Sequence, residues 1–170
     1  ETKHDLSKAK YFAGHSLGEY SALTCSGSLK FADAIKLLQK RGKAMQMAVP
    51  KGKGGMIAIL GADIDKINKL LIENKNKYKC YIANDNSIGQ IVISGEIEDL
   101  NLISQDLKKD SIKNIKLPVS APFHCPLMAD ATKIMREEIN NTEFNISNPT
   151  IISNVTGTEV KDIDKIKELI

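Results

Sequence analysis

In the stretch FAGHSLGEYSAL a serine lies between two glycines, so that Gly14, Ser16 and Gly18 form a G-x-S-x-G frame with an apolar run before it and a helix-like run after it. Small neighbours let a strand turn sharply into a helix and leave the middle side chain exposed at the apex, which is where a nucleophile belongs. The first free N–H groups of the new helix then face whatever Ser16 attacks, and backbone donors at a positive dipole end can hold an oxyanion. Taken alone, the same frame also describes an ordinary glycine-flanked turn.

A serine nucleophile needs a base, and the chain has three histidines. His4 lies near the start. His15 adjoins Ser16 and points to the opposite side of an extended segment, which suits bracing the elbow by a hydrogen bond better than taking its proton. His124 sits in a loop held by Pro122 and Pro126: it is either a plain surface group or, beside a helix N-terminus whose dipole helps keep the ring neutral, a base able to accept a proton. Arg41 is either a solvated charge on its helix or a planar fork for a substrate carboxylate. In IANDNSIGQ, the amides of Asn84, Asn86 and Gln90 can orient an acyl group or simply close a hairpin. Cys125, beside His124, reads as a small buried filler rather than a thiol nucleophile. Together with Cys25 and Cys80 it makes an odd set with no metal-type spacing, which points to free thiols in a reducing compartment.

The elements that must position these groups follow from periodicity. The chain of 170 residues is 42% hydrophobic, enough to bury a real core in one or two small domains. A net charge of +3, scattered lysines and 5% aromatics show no nucleic-acid stripe, and no apolar run reaches membrane-spanning length. A short strand over 10–14 enters the elbow and a helix leaves it, stopped by Gly27. In FADAIKLLQKRGKAMQMAV, residues Phe31, Ile35, Leu38 and Met45 recur at helical spacing and leave Arg41 on another face. From Met56 the order reads MIAIL strand, helix, CYIAN strand, QIVIS strand, helix, IKNIKL strand, with DNSIG as a five-residue hairpin loop. That βαββαβ order predicts an antiparallel ferredoxin-like sheet with two helices on one face. After Pro118 come a proline-bracketed loop, a helix with Pro126 in its first turn, the strand TIISN and a last helix. The expected organisation is an α/β body formed by 1–51 and 119–170, with 52–118 inserted as a small domain and a cleft between the two as the binding place.

GHSLGEYSAL, RGKAMQMAVP, NDNSIGQIVISG and LPVSAPFHCPLM, in this order and at these separations, resemble the malonyl-CoA:acyl carrier protein transacylase family of fatty acid synthesis, over almost the whole chain. The resemblance implies a hydrolase-like α/β domain carrying the ferredoxin-like one. It implies Ser16 as the acyl-accepting nucleophile, His124 as the base, Arg41 as the partner of the malonyl carboxylate and the Leu17 N–H as an oxyanion donor. Asn84 would lie near the acyl group, and Phe123 would wall the space around the malonyl α-carbon. Malonyl-CoA and acyl carrier protein are the implied partners, with no metal or redox cofactor, no nucleic acid and no membrane, in the cytoplasm or an organelle stroma. Lys108, Lys109, Lys113 and Lys116 either form a solvated edge or would steer an acidic carrier protein. The family's glutamines near both termini have no counterpart here, so the chain reads as a fragment. Ile88 stands where many members have proline. A serine esterase or thioesterase would use the same elbow but needs an acid such as Asp99, Asp106 or Asp110, and a polyketide synthase acyltransferase differs in the residue after the nucleophile.

Overall fold

The computed structural model describes residues 8–170, which leaves His4 outside the described residues. The described chain divides into two compact units, one formed by 8–42 and 133–170, the other by 43–132. Both sheets belong to a mixed α/β fold.

In the first unit, β1 (Tyr11–Ala13) leads through the glycine-flanked turn into α1 (Leu17–Cys25), and α2 (Phe31–Ala48) begins there. The chain returns through the end of α5 (Ala129–Asn140) to β6 (Thr150–Ile152), β7 (Glu159–Val160) and α6 (Ile163–Leu169). The sheet order is β1-β6-β7, with β1 parallel to β6 in the register Tyr11↔Thr150, Phe12↔Ile151 and Ala13↔Ile152. Leu23, Leu29, Leu37, Ile139, Ile151 and Ile166 form the centre of its core. Gly27 takes a positive φ of 75° after α1, as a helix stop requires. Ser28 then exchanges hydrogen bonds with Asn145, its Oγ donating to the Asn145 carbonyl and its own carbonyl accepting from the Asn145 N–H, each at 2.8 Å, which docks the run into β6. β7 is absent from the sequence expectations; two residues leave no periodicity to read.

The apolar row of α2 differs from the one expected. Phe31 and Ile35 are exposed, whereas Ala34, Leu37 and Ala44 are buried. Small alanines face the core here, and Arg41, partly buried, falls on their row at helical spacing from Leu37 and Ala44.

The second unit contains β2 (Gly54–Leu60), α3 (Ile64–Glu73), β3 (Cys80–Ser87), β4 (Gln90–Glu96), α4 (Ile97–Lys109) and β5 (Lys113–Lys116). All strand pairs are antiparallel and the order is β3-β4-β2-β5. Alternation along β2 sends Ile57 and Ile59 to one face, where they pack with Ile67 of α3 and Leu100, Ile103 and Leu107 of α4. Met56 and Ala58 face the other way, with Val92, and are covered by Leu117, Val119 and Phe123 from the loop after β5. Asp63 caps α3 by accepting from the Asp65 N–H at 2.8 Å.

The hairpin is tighter than the five-residue loop expected at DNSIG. β3 runs on to Ser87 and is kept in register by irregularities between Ile82 and Asn84 and between Asp85 and Ser87, so only Ile88 and Gly89, at φ 75°, make the turn. Pro126 opens a 3-10 turn, Pro126–Met128, from which α5 continues at Ala129. No helix among the described residues is long and apolar enough to cross a membrane.

Candidate active site

Ser16 is the last of the three residues between β1 and α1, and its backbone is strained: φ is 52° and ψ −108°. Among the described residues only two other non-glycine residues have positive φ, Ser111 and His124. Ser111 follows the last turn of α4, an ordinary place for the left-handed conformation. The remaining two are the nucleophile and base candidates, and strain of this kind collects at functional sites.

The two glycines of the frame do different work. A Cβ on Gly14 would lie 2.0 Å from the carbonyl carbon and oxygen of Gly18, so the strand end and first helical turn touch backbone to backbone. A Cβ on Gly18 would meet nothing within 4 Å. The Gly18 N–H donates to the His15 carbonyl at 2.9 Å and the Glu19 N–H to the Ser16 carbonyl at 3.1 Å, closing the first turn. His15 thus serves the elbow through its carbonyl. The Leu17 N–H is the first-turn donor that these two bonds leave over, while the Leu17 side chain is exposed.

Although Ser16 occupies the N-cap position, its hydroxyl makes no capping bond to the helix. Its Oγ accepts from Nη2 of Arg41 at 2.9 Å. The Arg41 guanidinium also lies over the Tyr20 ring, 5.9 Å from its centroid, within cation–π range. Tyr20 is buried, and burial pushes its phenol up, with the Arg41 charge pulling the other way. A guanidinium has five donors in one plane, so with one on Ser16 the fork keeps donors for a carboxylate.

Two residues without a role in the sequence reading complete this part of the elbow. The Ser16 N–H donates to Oδ1 of Asn154 at 2.8 Å, and the Asn154 N–H donates to Oε1 of Glu19 at 3.0 Å. Glu19 is only 5% exposed. Burial raises its carboxyl above the ordinary 4.5, offset in part by the Asn154 N–H. The signal for Glu19 was an acid set among Tyr20, Ala22 and Leu23; Asn154 carried none, because its link depends on the β1–β6 register.

The second unit carries the other candidates. His124 is exposed in the loop before the 3-10 turn, with φ 56°. Phe123 packs against Met56, Ala58 and Val92 and, with Lys51, Lys116 and Val119, lines a cavity of about 620 Å³. Asn84, half-buried on β3, sits beside the strand irregularity opposite Val92, while Asn86 and Gln90 are exposed at the hairpin. The Cys125 Sγ donates to the Pro122 carbonyl at 3.1 Å, so it braces the His124 loop. Cys80 is buried and its thiol is pushed up to about 12, chiefly by that burial. Of the acids that an esterase would need, Asp99 accepts from the Lys79 N–H and Asp106 pairs with Lys77 and Lys109, so both serve their own unit.

Comparison with known proteins gives a consistent result. The chain is 43% identical over 144 residues to the malonyl CoA-acyl carrier protein transacylase of Salmonella typhimurium, covering 84% of this chain and 47% of the relative. The solved acyl-carrier-protein-S-malonyltransferase from Bartonella henselae matches with a TM-score of 0.92 at 37% identity, over 98% of this chain and 54% of that one. A malonyl-transacylase in complex with its type II PKS acyl-carrier protein matches with a TM-score of 0.90 at 37% identity, over 95% of this chain and 53% of that one. The chain therefore spans about half the length of the relatives it matches. The acyl transferase domain model aligns with residues 7–167, and by that near-complete match the chain belongs to the acyl transferase domain family.

Proposed function

We propose that this chain forms part of a malonyl-CoA:acyl carrier protein transacylase, which moves a malonyl group from coenzyme A to the pantetheine thiol of acyl carrier protein through a malonyl-serine ester. The observation that carries the reading is the Arg41 guanidinium on the hydroxyl of the strained Ser16, at 2.9 Å. A cation at that distance from a nucleophile suits an acyl group with a free carboxylate and gives a neutral acyl ester no advantage. The names of the relatives, and the carrier-protein complex among them, support the same substrates.

In this mechanism Ser16 Oγ attacks the thioester carbonyl while its proton passes to the His124 imidazole. The developing oxyanion is held by the Leu17 N–H at the positive end of α1. The carbon–sulfur bond breaks, the coenzyme A thiolate takes the proton from His124, and malonyl-serine remains. The carrier's thiol then gives its proton to His124 and attacks the ester, and Ser16 recovers the proton as the carbon–oxygen bond breaks. One site serves both halves, so the kinetics are ping-pong, and the acyl-CoA is substrate rather than cofactor. Asn84 orients the acyl group and Phe123 limits its bulk. Residues 52–118 act as a ferredoxin-like domain, for which the βαββαβ order and the sheet order speak, inserted in a hydrolase-like body. The enzyme works in the cytoplasm or an organelle stroma.

The test is Arg41→Ala in the full-length protein. Truncating one side of a charge-paired contact costs about 3 to 5 kcal/mol, on the order of a hundred- to several-thousand-fold in kcat/KM for malonyl-CoA. Acetyl-CoA has no carboxylate, so its transfer should be spared or rise. Arg41→Lys should recover only part of the malonyl activity, because a point charge does not reproduce the fork. Equal loss for both acyl groups in a folded variant would defeat the reading.

A further inference from the structure

Three hydrogen bonds form a closed ring around the candidate nucleophile. The Glu19 N–H donates to the Ser16 carbonyl at 3.1 Å, the Ser16 N–H to Oδ1 of Asn154 at 2.8 Å, and the Asn154 N–H to Oε1 of Glu19 at 3.0 Å. Each residue gives its backbone N–H to the next. Together these bonds pin both peptide planes that flank Ser16: one through its N–H, the other through its carbonyl. The second plane also contains the Leu17 N–H, whose direction is set opposite to that carbonyl because the peptide is planar and trans.

The ring joins segments far apart in sequence, and the sheet explains how. β1 and β6 are parallel and Ala13 pairs with Ile152, so two residues further along each strand the chain leaves the sheet at His15 and Asn154. Asn154 therefore emerges beside the elbow. Glu19 anchors the far side from a buried position, 5% exposed, in the first turn of α1. Without an acceptor for its N–H, a non-glycine residue at φ 52° has every reason to relax to an ordinary conformation.

We propose that Asn154, held by the buried carboxyl of Glu19, is a positioning residue that fixes the reactive backbone of Ser16 and the direction of the Leu17 oxyanion donor. The kinetic part rests on the function proposed above; the structural part does not.

Variants Asn154→Ala, Asn154→Asp and Glu19→Gln separate the possibilities, because Asp keeps the acceptor oxygen for Ser16 and Gln keeps the one for Asn154. In the full-length protein, Asn154→Ala should slow malonyl-Ser16 formation about ten-fold, the worth of one net hydrogen bond, in kcat with little change in KM. Asn154→Asp should restore most of the rate, and Glu19→Gln should stay within about three-fold of the parent. Labelling of Ser16 by a fluorophosphonate should show the same order, and amide exchange at Ser16 should quicken in Asn154→Ala alone. Parent labelling by the fluorophosphonate with no malonyl adduct would sink the function while leaving the positioning role supported by the order of the variants. An Asn154→Ala protein that labels at the parent rate with unchanged Ser16 exchange overturns the positioning role. So does an Asn154→Asp protein as slow as Asn154→Ala, since the lost acceptor would then not be the cause.

Discussion

Replacing Gly14 by alanine should separate the two glycines of the elbow, which sequence spacing treats as equivalent. The new methyl would stand 2.0 Å from the carbonyl carbon and oxygen of Gly18 and 2.5 Å from the Glu19 nitrogen, all backbone atoms. Ordinary carbon contacts are about 3.5 to 4.0 Å, so the strand end and α1 must part by roughly 1.5 Å. Overpacking typically costs about 1 to 3 kcal/mol, and with no side chain able to swing away the upper figure applies. The entropy gained on losing a glycine, about 0.4 to 1 kcal/mol, offsets part of it. A net loss of about 2 to 3 kcal/mol should lower Tm by roughly 4 to 12 °C for a protein of this size. Gly18→Ala, which meets nothing within 4 Å, should melt at or slightly above the parent, since alanine gains up to about 1 kcal/mol over glycine in a helix. Thermal melts followed by circular dichroism, with urea titrations for the free energies, would show it. If Gly14→Ala melts with the parent, or Gly18→Ala falls as far, the backbone contact between strand and helix does not hold the elbow. A Gly14→Ala protein that folds should also lose Ser16 acylation, because the parting moves the hydroxyl off Arg41.

Glu19 gives a pH signature. Its folded pKa lies above the ordinary 4.5, so the folded chain keeps a proton over a window in which the unfolded chain has lost it. The stabilisation is complete below 4.5 and is lost as the pH rises through the folded value, so parent stability relative to Glu19→Gln should decline across the weakly acidic range in urea titrations; a rise would contradict the burial argument. Thiol reagents should modify exposed Cys25 first, Cys125 more slowly and Cys80, whose thiol is pushed up to about 12, last; early loss of Cys80 in the folded protein would refute the order. Phe123→Ser should improve methylmalonyl over malonyl transfer by about ten-fold, the scale of one methyl in a pocket, and an unchanged ratio in competition assays would remove Phe123 from the acyl site.

Most elements were legible: α1 from the elbow before it and Gly27 after it, and α3, α4 and the strands of the second unit from their apolar runs and the turn residues between them. The inward face of α2 was not, because the row that packs is built on Ala34, Leu37 and Ala44, and a reading weighted by side-chain size picks Phe31 and Ile35 instead. That same error turned Arg41 away from the core row, although its type had already suggested a carboxylate partner. At the hairpin, DNSIG is rich in turn formers, yet local irregularities let β3 pair as far as Ser87. The tight turn at Ser16 was legible from the glycines that flank it. Asn154 was not, because the β1–β6 pairing that sets it beside Ser16 spans most of the chain and leaves no local trace.

That pairing also orders events during synthesis. Tyr11 pairs with Thr150, whereas residues 43–132 form a unit contiguous in sequence. At a translation rate of about 5 to 20 residues per second, β1 waits on the order of ten seconds for its partner strand. Over that interval the second unit already has all four of its strands and can fold. Nascent chains stalled once residue 132 has cleared the ribosome should yield a protease-resistant 43–132 fragment with β1 still open to cleavage; a protected β1 at that stage would contradict the order. The backbone of Ser16 is therefore fixed late, since Asn154, which takes its N–H, is made 138 residues after it.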